Sequence, residues 1–253
     1  MKLDNFFEKI FCINLDIRTD RWNNCKQEFL KYNLLSAVNR YSACVNPTST
    51  IQGITSSHLN IIKYAKEQKL QNVFIFEDDV CFINYHYPLK AWLNPRRYTI
   101  LNHRRYGKTF ALNPKENKII KKNKLTFFDP LEKISRALTQ LQTVKWDMFF
   151  LGCQFNPKSQ TTRIKNNLFQ ANEISRMHAY GVNHTAYDFI LKNKPNSTIF
   201  DRHLKFVLSH KLKCIIIDPM VCIQGLDSDR KEIVKHTGWV NNALKTVYPN
   251  LNK

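Results

Sequence analysis

"VFIFEDDVCF", residues 73–82, sets four apolar residues directly against three carboxylates, Glu77, Asp78 and Asp79, and turns apolar again at Val80. A short unbroken run of Val, Ile and Phe is the pattern of a strand buried on both faces, as in a mostly parallel sheet covered by helices on either side. Three acids at its end stand out in a chain with 39 Lys and Arg against 20 Asp and Glu. In open sheets of this kind ligands bind beyond the carboxyl ends of the strands, where carboxylates are solvated and can hold a cation. An ordinary polar turn, in which Asp is common, accounts for the acids equally well.

Working outward, strand and helix patterns alternate. "IFCIN" (residues 10–14) reads as a first strand, and Thr19 as the cap of a helix whose Trp22, Cys25 and Phe29 recur at near-helical spacing. After a polar turn at "VNPTSTIQG", Ser56 or Ser57 is expected to open a second helix with Leu59, Ile62 and Ala65 inward. "WDMFFLG" (146–152) reads as a strand stopped by glycine, with Trp146 and Asp147 structural. "MHAYGVN" (177–183) reads as a strand followed by a helix through Ala186 to Leu191. "FDRHLKFVLSH" reads as helix, and "CIIID" and "MVCIQ" as late strands parted by Pro219. The expected fold class is therefore α/β, in one domain spanning residues 1–253.

Composition bounds the partners. The 43% apolar content supports a large core, and the formal charge of +19 favours anionic partners without choosing among them. Residues 88–127 hold eleven Lys and Arg and one acid, Glu116, which is +10 of that total. The excess charge is thus mostly the property of one basic insertion, which suits an anionic acceptor or an anionic membrane surface. Seven scattered cysteines, with no C-x-x-C, read as free thiols in a reducing compartment. The N-terminus lacks a long apolar stretch, and no run approaches the ~20 residues of a membrane span, so the expected location is cytoplasmic or peripheral at a membrane.

Hard cations such as Mg²⁺ and Mn²⁺ take oxygen ligands, usually one or two carboxylates plus substrate phosphates. With one residue in two facing a given side of a strand, Glu77 and Asp79 share a face and Asp78 points the other way. That arrangement suits a nucleoside diphosphate, with one carboxylate near the ribose and another on the metal that bridges the phosphates. A metal-dependent phosphohydrolase or nuclease also uses such acids. The basic segment, interleaved with Tyr98, Tyr106 and Phe110, could instead serve a nucleic-acid-binding protein. No helix-turn-helix, zinc-finger or RNA-recognition signature supports the last reading, and no nucleic acid partner is expected.

Six pieces in order, "FCINLDIRTDRW", "GITSSHLNIIKYA", "FIFEDDVCF", "WDMFFLG", "HAYGVNHTAYDFIL" and "IFDRHL", resemble the motif series of glycosyltransferase family 25. That family includes lipooligosaccharide and collagen hydroxylysine galactosyltransferases. The departures are the basic insertion and Ile54, where relatives frequently carry cysteine. The resemblance implies a GT-A fold, a UDP-sugar donor, Mn²⁺ or Mg²⁺, and inversion at the anomeric carbon. The acceptor would be a glycan, a lipooligosaccharide or hydroxylysine. Carried over by position, Asn14, Arg18 and Arg21 lie in the nucleotide-binding first loop and helix. Ser57 and His58 face the donor from a helix start, where free N–H groups favour an anion. Glu77 and Asp78 contact the nucleotide, and Asp79, helped by Asp78 and by Asp229 of "QGLDSDR", holds the metal. Asp201 of "IFDRHL" is the general base, its ionised form favoured by its own helix dipole so that its pKa need not be raised. Plain capping roles remain open for Ser57 and Asp201, as does a polar turn for Asp227.

Overall fold

The structure, a computed structural model, describes residues 1–82, 129–154, 161–196, 198–217 and 220–224. The basic segment 88–127, Asp227 and Asp229 lie outside the described residues. In chain order the elements are α1 (Leu3–Phe6), β1 (Lys9–Asn14), α2 (Thr19–Lys31), β2 (Val38–Ser42), α3 (Thr50–Glu67), β3 (Asn72–Glu77) and β4 (Val80–Phe82). Then come α4 (Pro130–Leu141), β5 (Met148–Gln154), β6 (Thr161–Lys165), β7 (Leu168–Ala171), β8 (Ser175–Asn183) and α5 (His184–Lys192). Finally α6 (Phe200–Phe206) precedes β9 (Cys214–Ile217) and β10 (Cys222–Gln224).

Eight strands form one sheet in the order β2-β1-β3-β8-β5-β9-β7-β6, and β4 pairs with β10 in a separate ribbon. Within the sheet β7 and β8 run against the others, so the expected α/β, mostly parallel, Rossmann-like architecture is the one adopted. The "VFIF" run explains itself here. Phe74 and Phe76 enter one core with Cys25 and Phe29 of α2 and Ile134, Leu138 and Leu141 of α4. Val73 and Ile75 enter a second core, on the other face, with Ile61, Ile62 and Ala65 of α3, Ile190 of α5 and Leu204 of α6. A central strand sandwiched this way has no solvent side, hence no polar alternation.

Two glycines were read as breaks and are close approaches instead. The sequence placed the start of α3 at Ser56 or Ser57, but the helix begins at Thr50, with the Ser49 hydroxyl accepting from the Gln52 N–H. Gly53 lies inside its first turns, where a Cβ would come 2.6 Å from the carbonyl oxygen of Cys44. Likewise β5 does not stop at Gly152. It bulges there, and a Cβ would sit 2.2 Å from the Cys222 carbonyl and 2.3 Å from His178 Nε2. The bare backbone lets the start of β10 cross the sheet.

Smaller differences follow from capping and amphipathicity. Thr19 is the first residue of α2 rather than its cap, which is Arg18. α4, capped by Asp129, and strands β2, β6 and β7 were not anticipated. Asp147 is structural as expected, its carboxylate accepting from the Thr185 hydroxyl at 2.8 Å and the Lys213 N–H at 2.8 Å. All seven cysteines are free. Among the described residues no helix is long and apolar enough to cross a membrane.

Candidate active site

β1 and β3 are parallel neighbours, with Ile13 opposite Glu77, so Asn14 and the acid triplet meet at the same edge of the sheet. Antiparallel β8 brings its first half to that edge, with Ala179 opposite Phe76. The triplet is divided there between two environments.

Asp78 turns toward α2. Its Oδ2 accepts from Asn14 Nδ2 at 2.8 Å and its Oδ1 from an Arg21 N–H at 2.9 Å. The Cys25 thiol donates to its carbonyl oxygen at 3.2 Å. Asn14, almost fully buried, also donates to the Arg18 carbonyl at 3.1 Å and accepts from Arg40 Nε at 2.9 Å. The other arginines here are engaged as well. Arg18 forms a two-pronged pair with Asp20 at 3.0 and 2.8 Å, and Arg40 pairs with Asp16 at 2.8 Å. Hydrogen bonding to Arg18 pulls the Asp20 carboxyl down to about 2. Arg40, on a strand with no sequence signature, was not anticipated as part of this loop.

Asp79 does not share a side with Glu77. The two-residue alternation ends with β3 at Glu77, because residues 78–79 form the turn into β4. Asp79 is buried, 8% exposed, and lies on the α2 side. There its charge, after the hydrogen bond to Cys12, burial and the charge of Asp78, helps push the Cys25 thiol up.

Glu77 turns the other way, into an aromatic-walled recess. His58 Nε2 approaches its Oε1 at 3.3 Å, and His58 Nδ1 lies 2.8 Å from Tyr180 Oη. Burial, then the charge of Glu77, drives the Tyr180 hydroxyl's pKa well up, so it stays protonated and donates to Nδ1. With Nδ1 accepting, the ring N–H is on Nε2, 3.3 Å from the Glu77 carboxylate. The imidazole is stacked against Phe200 with ring centres 5.7 Å apart. Tyr180 lies within a motif piece, but no role had been read for it.

The helix-start placement of Ser57 and His58 is corrected accordingly. Both lie inside α3, where backbone N–H groups are consumed by the helix and cannot receive an anion. Ser57 ties the β2–α3 loop to the helix, donating to the Gly53 carbonyl at 2.9 Å and accepting from the Cys44 N–H at 2.8 Å.

Asp201 is the second residue of α6, whose cap is Ile199, so the capping role does not fall to it. Its Oδ2 accepts from the Arg176 N–H at 3.4 Å. Arg176 holds a φ of 53°, a left-handed conformation costly for any residue but glycine. Contrary to the expectation from its helix dipole, the Asp201 pKa is raised. Burial is the largest cause, followed by the charge of Glu77, and the Arg176 and Arg202 N–H groups and His58 oppose them. Asp201 therefore lies within electrostatic reach of both Glu77 and His58.

A divalent cation can be tested against these donors. Among the described residues no three His, Cys, Asp or Glu side chains converge as a ready metal cage. Asp78 already serves Asn14 and Arg21. Asp79 places one buried carboxylate at the same edge, and an oxygen donor of this kind would suit Mg²⁺ or Mn²⁺ only with phosphates and water completing the shell.

No protein-family model matches the chain, and no curated protein matches it. Among solved structures the chain is similar to a glycosyltransferase involved in the glycosylation of the major capsid of PBCV-1, at 13% identity and a TM-score of 0.42, over 90% of this chain and 97% of that one. A likeness this distant carries no argument about activity.

Proposed function

We propose that the chain is an inverting, metal-dependent glycosyltransferase of the family 25 type, moving a hexose from a UDP-sugar to an acceptor hydroxyl. The observation that supports this most is the division of one strand end into a carboxylate–arginine side and an aromatic, buried-carboxylate side, with the resembling motif pieces gathered on both. The donor diphosphate would lie on the β1–α2 side. Arg18, Arg21 and Arg40 are each already paired with an aspartate there. Asp79 would hold a divalent cation here, which would supply the positive charge that stabilises the leaving diphosphate.

Asp201 would take the proton from the acceptor hydroxyl. As that oxygen bonds to the anomeric carbon from one face, the bond to the β-phosphate oxygen breaks on the other, and UDP leaves with the electron pair. A carboxylate raised above its ordinary value is a better proton acceptor near neutrality, provided it is ionised. Glu77 would be the second carboxylate of this side, oriented by the His58 N–H. Its negative charge favours proton uptake by Asp201.

Incubation with a panel of UDP-hexoses tests the reading. The expected result is slow, Mn²⁺-dependent release of UDP from one or two members of the panel, accelerated by a hydroxyl acceptor. Cleavage of oligonucleotides or phosphate esters, with UDP-sugars left intact, would instead establish the phosphohydrolase or nuclease reading.

A further inference from the structure

On the outer side of α3 a groove of about 780 Å³ runs between that helix and residues 191–198. It belongs to neither side of the divided strand end, and its lining runs in sequence up to the start of α6. Its last residue, Thr198, stands three positions before Asp201. Phe200, between them, is the ring stacked on His58.

The lining has the chemistry of a carbohydrate site with a charge preference. Leu59, Leu191 and Pro195 give an aliphatic floor for the CH face of a sugar ring. Gln52, Asn60 and Asn196 add side-chain amides. Gln52 Oε1 already accepts from Asn46 and Asn60 Nδ2 donates to Cys44 Sγ, which leaves the Gln52 N–H groups and the Asn60 carbonyl oxygen to meet hydroxyls. Thr55 lines the same groove, is nine-tenths buried, and its hydroxyl has no hydrogen-bond partner. A buried hydroxyl left this way is satisfied when a ligand or water reaches it. Three lysines, Lys63, Lys66 and Lys194, face one acid, Glu67. Lys66 is engaged by Asp188. Among the described residues Lys63 has only the exposed Glu67 at 3.8 Å, a weak hold, and Lys194 has no ion-pair partner.

We infer that this groove seats the acceptor and that the acceptor is an acidic saccharide, one bearing a carboxylate or phosphate group near its transferred-to end. The inference rests on the transferase reading above and adds the acceptor's chemical class and location. A neutral glycan would use the floor and the amides but leave Lys63 and Lys194 unused.

Titration calorimetry on the full chain with a glucuronic-acid disaccharide, glucose 6-phosphate and lactose tests it, alongside UDP with Mn²⁺ as control. At least one acidic sugar is expected to bind tenfold or more tighter than lactose, with affinity falling as salt rises. The stronger of the two acidic probes identifies carboxylate or phosphate as the group read. The double variant Lys63→Ser, Lys194→Ser, altered only at exposed positions, should bring that sugar down to the level of lactose and leave UDP binding unchanged. Equal affinity for lactose and both acidic sugars, or an acidic sugar bound as tightly by the double variant, would overturn the inference. UDP binding with no saccharide binding would overturn it while sparing the transferase reading, and absence of UDP binding would remove that reading itself.

Discussion

The two sides of the β3 end use the same kind of residue for opposite purposes. On the α2 side Asp78 is tied to Asn14 and Arg21. Its charge is matched by a nearby cation, as Asp20 and Asp16 are matched by Arg18 and Arg40. On the α3 side Asp201 lies within reach of Glu77, His58 and their aromatic walls, and burial, then the charge of Glu77, raises the cost of ionising the Asp201 carboxyl. The first arrangement fixes a loop. The second stores a proton affinity above the ordinary carboxylate range, which is useful for chemistry and unfavourable for stability.

The sharpest way to separate the sides is Asp201→Asn. Loss of a general base costs about 10²–10⁴ in rate, so transfer or donor hydrolysis should fall by that factor while UDP affinity is unchanged. Stability should not fall with it. The Asp201 carboxyl is raised above its ordinary 3.8 by burial and Glu77. A carboxyl raised in the folded state contributes stability fully below its unfolded value, and that contribution is lost as pH rises through the folded value. At pH 7 the asparagine variant should therefore melt no lower than wild type, with any advantage shrinking as pH approaches 3.8. Wild-type activity should likewise decline as pH falls through the raised value of Asp201. Turnover in the variant within about threefold of wild type, short of the tenfold that ~1.4 kcal/mol gives, would remove the base.

The α2 side should show the reverse pattern, a structural loss. Arg21 and Asp78 are 17% and 11% exposed, and Arg21→Ala leaves a nearly buried carboxylate beside Asp79. Breaking a pair of this burial costs about 3 kcal/mol, readable by urea denaturation. A loss under about 0.5 kcal/mol would mean that the pair acts as a surface pair does.

How far this division was legible in sequence depends on what each feature rests on. The unbroken apolar run of β3 and the spaced apolar residues of α2 follow from burial alone, and both were readable. Gly53 and Gly152 misled because a glycine that admits another backbone looks in sequence like one that ends an element. The true start of α3 hung on Ser49, seven residues before the Ser56 that also looks like a cap. Asp201, Asn14 and Arg21 were singled out through their motif pieces, and the structure brings Asn14 and Arg21 onto Asp78 and Asp201 within electrostatic reach of the adjoining Glu77. Arg40 and Tyr180 were missed. Their parts in the site depend on the register of β2 against β1 and of β8 against β3, which no local pattern encodes. The raised pKa of Asp201 was missed for the same reason, since its cause is the burial around it and the approach of Glu77 from a distant strand.

A finer test lies in the recess itself. Tyr180→Phe removes the donor to His58 Nδ1, at a cost of about 1 kcal/mol in stability. With Nδ1 released, the imidazole can carry its proton there and present a lone pair to Glu77. The acid limb of the pH–rate profile should therefore shift, with UDP affinity unaffected. An unchanged profile would separate Tyr180 from the orientation of Glu77.

A transferase built this way requires a diphosphate and a cation to meet on the Asp79 side of this edge. Titration calorimetry of UDP against wild type, Asp79→Asn and Asp201→Asn, each with Mn²⁺ and with EDTA, measures that directly. Binding by wild type and by Asp201→Asn is expected only when Mn²⁺ is present, with loss or strong weakening in Asp79→Asn although the variant remains folded. UDP bound equally well in EDTA, or undiminished in Asp79→Asn, would contradict it.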